Sequence, residues 1–169
     1  MSITMHSAAA PIYQTMLRNL SKWLDKAQAH AKAKGFDADT LLTARLAPDM
    51  LPLRNQIQIA CDTAKFGLSR LAGIEAPKFA DDEQTLAQLQ QRIAQTLAFI
   101  ESVPAASVDG SEDKPVSVPI RGRDPLQFTG EQYLRHFALP NFFFHVTTAY
   151  GLLRHNGVEL GKGDYLRGG

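Results

Sequence analysis

Cysteine occurs once in this chain of 169 residues, at Cys61, and tryptophan once, at Trp23. A single cysteine excludes an intrachain disulfide framework and a cysteine-rich zinc knuckle, and a reduced, cytoplasmic setting is the simple expectation. An excess of either charge is also lacking: 18 basic side chains stand against 17 acidic ones, for a formal net charge of +1. No basic block or stripe interrupts that balance, so nucleic acid is not an expected partner. No apolar run approaches the roughly 18 residues of a membrane helix, so no membrane is expected either. The opening "MSITMHSAAAPIYQ" has no basic segment leading into a hydrophobic one and does not read as a signal peptide. Internal repeats and low-complexity tracts are absent.

What remains is a globular composition, 44% hydrophobic and 21% charged, of a length suited to one domain over residues 1–169. Apolar residues fall into four helical blocks. In the first, 7–34, Ile12, Met16, Leu20, Trp23, Leu24, Ala27 and Ala31 recur at helical spacing, and Gly35 marks the stop. Pro11 predicts that this helix begins close to it. A connector with a short helical turn near 40–46 leads to the second block, 52–72. There Leu53, Ile57, Cys61, Ala64, Leu68 and Leu71 form the buried stripe, Asp49 is the expected cap and Gly73 the end. The third block is expected to open at "DDEQ", 81–84, where acids suit the helix dipole; its stripe is Leu86, Leu89, Ile93, Leu97 and Ile100, closed by Pro104.

From 107 to 130 the pattern changes. Val116, Val118 and Ile120 alternate with Ser117 and Pro119, "RGRD" signals a turn, and Leu126 and Phe128 resume the alternation, which predicts a small hairpin or a long loop. The fourth block opens on "TGEQ", a capping-box pattern at Thr129 and Gln132, and runs to Arg154 with a break or kink at Pro140. The tail is expected as loop anchored by Tyr165 or Leu166, with "GKGDY" able to close a pocket mouth. The fold class is therefore all-α, a four-helix bundle with a hairpin or long loop before the last helix.

Projected at 100° per residue, Leu134, Phe137 or Ala138, Asn141, His145, Thr148 and Leu152 share one stripe of the fourth block. Asn141 and His145 thus face the core, where polar groups must be paired. One reading is a satisfied core pair bonded to Gln58 or Tyr150. The other is a ligand site between helices, with "RNQIQIACDTAK" of the second block offering Gln56, Gln58, Cys61 and Asp62. A buried thiol is more often a small hydrophobe than a nucleophile, and a Cys61–His145 pair requires the base to approach from another helix. Phe142, Phe143 and Phe144 point three ways round the helix, which predicts cover on nearly all sides, by the bundle or by a second copy in a homodimer.

Four helices, an insert before the last one and a closing pattern with His145 and Arg154 nine residues apart resemble the DinB/YfiT-like superfamily of metalloenzymes. The runs "ARLAPDMLPLRNQIQIACDTAK" and "LPNFFFHVTTAYGLLRHNGVELGKGDYL" are similar to an uncharacterised bacterial subgroup of it. The resemblance implies a divalent metal, zinc or nickel, held by two histidines four apart on the last helix and a third on the second helix. His145 matches the second of these; Asn141 stands in place of the first, and "QIQIACD" has no histidine. Three readings follow: a degenerate pocket at Asn141 and His145 that takes a small molecule; a metal-dependent thiol S-transferase using Gln58 or Asp62 with His145; and a non-catalytic homodimeric interaction module.

Overall fold

The computed structural model describes residues 3–167; the first two residues of the N-terminal stretch and the last two of the tail lie outside them. The fold is mainly helical, with one small antiparallel sheet. No helix among the described residues is long and apolar enough to cross a membrane.

Helix α1 spans Met5–Lys34, capped reciprocally by Thr4 and Ser7 and ended by Gly35 in the left-handed region. Contrary to expectation it starts well before Pro11. That proline removes the donor for the Ser7 carbonyl, but both residues lie on the exposed face, where water can take the bond. A 3₁₀ turn, Ala38–Thr43, packs Leu41 and Leu42 into the core.

Helix α2, Leu53–Ala72, buries every residue of its expected stripe and ends at Gly73, φ 72°. Pro52 occupies the cap position without a side-chain bond, so Asp49, which is exposed, does not cap it. Helix α3, Leu86–Ser102, begins after "DDEQ" rather than with it, because the Thr85–Gln88 capping box fixes the start. Segment 74–84 before it is extended chain, with Asp81 at φ 58°.

After the short α4, Ala105–Val108, strands β1 (Pro115–Ile120) and β2 (Arg123–Thr129) form the expected hairpin, turning at Arg121–Gly122. Val116 and Val118 face inward while β2 faces solvent, a half-buried alternation. Gly130 begins α5 (Gly130–Gln132) against the Ser111 carbonyl, so close that a Cβ would sit 1.9 Å from that oxygen. The chain then continues as a π-helical stretch, Tyr133–Ala138, into α6, Leu139–His155. The π turn falls where Pro140 withholds a donor and its ring would crowd the His136 carbonyl. It absorbs the break expected there.

The tail carries a helix, α7 (Lys162–Arg167), docked on α1. Tyr165 is its anchor, stacked on Trp23 at 5.6 Å and hydrogen-bonded to Thr147, whereas Leu166 is exposed. Lys26 binds Asp164 at 2.6 Å, so "GKGDY" is held as a helical clasp. Helix α2 is the hub of the fold: it packs on α1, α3 and α6, most extensively on α6.

Candidate functional site

The two sides of α2 carry different chemistry. Gln56 and Thr63, seven residues apart, lie two turns along one side and face α6. Gln58 and Asp62, four apart, face α3 and the segment before it.

On the α6 side, His145 is 8% exposed and its Nδ1 lies 2.7 Å from Gln56 Oε1. The Gln56 amide nitrogen donates to the Leu51 carbonyl at 2.9 Å, which turns its oxygen towards the imidazole. An amide oxygen only accepts, so Nδ1 carries the proton and Nε2 keeps a lone pair. Burial pushes the His145 pKa down to about 4, so the ring is neutral at pH 7. Asn141, half-buried one turn earlier, donates from Nδ2 to Thr63 Oγ1 at 2.8 Å. Asn141 and His145 thus both meet α2 across its packing with α6, with Thr63 and Gln56 as partners. Neither Gln58 nor Tyr150 is bonded to them: Tyr150 packs on Trp23 and Tyr165.

Gln58, Cys61 and Asp62 belong elsewhere. Gln58 donates to Glu83 at 2.7 Å and accepts from Asn55. Asp62 binds both Lys65 and Arg92 at 2.8 Å. Cys61 is fully buried, and burial pushes its thiol up to about 12. That is the state of a small core hydrophobe rather than an activated nucleophile. Its charged neighbours are Arg92, Asp62 and Glu83, and His145 is engaged with Gln56 instead.

The remaining donors decide what the α2–α6 contact around His145 can hold. Among the described residues, no group of three His, Cys, Asp or Glu side chains is placed to hold a metal ion. Around His145 and Asn141 the other groups are an amide and a hydroxyl, all neutral, and Nδ1 is already committed. One imidazole with neutral oxygen donors does not fit a resident zinc or nickel ion. Arg154, nine residues on, is exposed and reaches only the Val158 carbonyl at 3.5 Å. Of the phenylalanine trio, Phe142 is buried, Phe143 half-buried and Phe144 56% exposed, so the chain's own bundle does not cover α6 on all sides.

The side-chain wheel missed Arg92. It is 2% exposed and bonded to Asp62, Asp81 and Glu83. Its position between Leu89 and Ile93 on the α3 stripe was the available signal.

The comparisons with known proteins agree with this architecture. The family described as "Domain of unknown function (DUF1993)" matches residues 5–166. The crystal structure of a DinB family member protein from Shewanella denitrificans is similar, with 44% identity and a TM-score of 0.86 over 95% of this chain and 90% of that one. No curated protein matches the chain.

Proposed function

Because the chain belongs to the DUF1993 family of domains of unknown function and has a DinB-like fold, we propose that its long helices act as a four-helix bundle binding a small polar molecule between α2 and α6 without a resident metal. The observation that carries this reading is the His145 tautomer. With Nδ1–H given to Gln56, the ring offers a neutral Nε2 acceptor beside the half-buried Asn141 amide. A hydroxyl or amide N–H of a ligand suits such a group better than a cation or an anion does, because burial, and no charged group among the described residues, shifts this imidazole.

Protein purified without a His tag and titrated with zinc, nickel and manganese is expected to bind none of them stoichiometrically. Ligand-observed NMR against a polar fragment library should then find binders that are lost in His145→Leu. Stoichiometric metal that disappears in His145→Ala would overturn the reading and favour the metal-dependent thiol transferase.

The exposed Phe144, its ring 5.2 Å from that of His145, supports a second reading as a homodimeric interaction module. Static light scattering across a hundredfold concentration range is expected to show a dimer that Phe144→Ser weakens. A strict monomer at every concentration excludes it.

A further inference from the structure

The α3 side of α2 holds a second constellation, unrelated to His145. Lys65 and Arg92 are each only 2% exposed, a costly place for two cations. Three carboxylates compensate them: Asp62 from α2, and Asp81 and Glu83 from segment 74–84. That segment has no helix or strand of its own, and its Phe79 ring covers both cations, 3.8 Å from Lys65 Nζ and 4.7 Å from the Arg92 guanidinium carbon. Phe79 also walls two cavities, of about 300 and 360 Å³, on either side of the segment.

The closed arrangement satisfies the cations imperfectly. Asp81 and Glu83 both crowd the same nitrogen, Nη1, at 2.6 and 2.9 Å, while the buried Nε has no partner. A guanidinium is best used by two oxygens of one anion along its fork. Asp81 sits at φ 58°, a left-handed conformation that among non-glycine residues asparagine and aspartate adopt most readily, and its side chain is 56% exposed, so water competes for its contact with Nη1. Asp81 and Glu83 together bring two negative charges to the site. A doubly charged oxyanion replacing them at Nη1 would conserve the local charge.

We propose that segment 74–84 is a lid over a site for a small dianionic oxyanion, a phosphate or a dicarboxylate, built from Lys65 and Arg92, and that Asp81 and Glu83 hold the ligand's place in the closed state. The cavities beside Phe79 are the room into which the lid moves when an anion enters. Removing one placeholder therefore raises the fraction of binding-competent molecules and the apparent affinity with it.

Isothermal titration of the full chain with inorganic phosphate, and separately with succinate, tests this. Asp81→Asn keeps a residue type tolerant of the left-handed backbone. It is expected to bind one of the two anions at least tenfold more tightly than the unsubstituted chain. Phe79→Ala should tighten the same anion, and adding Lys65→Met to Asp81→Asn should abolish the gain. Phosphate preference identifies a phosphoryl ligand, succinate preference a dicarboxylate. Asp124→Asn, on the exposed hairpin, is the control for net charge. If Asp81→Asn tightens neither anion, or Asp124→Asn tightens it equally, the lid proposal is overturned.

Discussion

Replacing Arg92 with leucine is expected to destabilise the folded chain by about 3–5 kcal/mol, the usual consequence of removing one partner from a buried ion pair. The guanidinium ties together α2, α3 and segment 74–84: it meets Asp62 at 2.8 Å, Asp81 at 2.6 Å and Glu83 at 2.9 Å. Asp62 would keep Lys65, and Asp81 would turn to solvent, but Glu83 would be left beside Gln58 with no cation. Glu83 now ionises more readily than an ordinary carboxyl. Its burial alone would raise its pKa, and the hydrogen bonds from Gln58 and Arg92 outweigh that. Urea unfolding followed by the fluorescence of Trp23, the only tryptophan, measures the loss. The double variant Arg92→Leu with Glu83→Gln should recover part of it, because the orphaned charge has gone with its partner. A loss under about 1 kcal/mol in the single variant would mean that the network is solvated in solution and contributes little.

Much of the fold was legible because several local signals agree on each boundary. The stripe from Met16 to Ala31 reads as one face of α1, Thr129 with Gln132 reads as a helix start, and Val116 and Val118 alternate as an inward strand face; all of these stand in the structure. The site was harder to read, for a reason lodged in α2. A helix wrapped on three sides has no single buried stripe, and a wheel gives directions without naming the neighbour in each. Gln58 and Asp62 were therefore grouped with His145, although their direction leads to Arg92, and Gln56 and Thr63 are the residues that lead to α6. The acids of "DDEQ" were open to the same ambiguity. Read against the helix dipole they begin α3, but Asp81 and Glu83 are counterions to a cation that lies on the apolar stripe. Tertiary pairing of this kind depends on which segments meet, and no local spacing encodes it. The sequence offered Gln56 beside Gln58, Cys61 and Asp62 without ranking it, and the geometry singles it out as the partner of His145 on α6.

Burial makes His145 a measurable reporter of the contact between α2 and α6 through pH. Burial holds the folded pKa near 4, against 6.5 for an unperturbed imidazole. Between those values the unfolded chain takes up a proton that the folded chain refuses. Stability from this group is therefore complete above about pH 6.5 and drains away as the pH falls towards 4. The shift corresponds to about 3 kcal/mol, at 1.36 kcal/mol per unit. Carboxylates held below their ordinary pKa, Glu83 among them, also lose stability on acidification, so the total slope does not isolate the histidine. The difference between two chains does. Unfolding free energies of the unsubstituted chain and of His145→Leu, measured from pH 7.5 to pH 4, are expected to converge by about 3 kcal/mol as the pH falls. The leucine variant leaves the Gln56 oxygen without its donor, which sets a constant offset but adds no titration of its own. Parallel curves would mean that the imidazole takes up its proton in the folded state as freely as in the unfolded one. A ring that charges so readily is solvated, and the neutral Nε2 acceptor on which the proposed ligand site depends would be the minority form at pH 6.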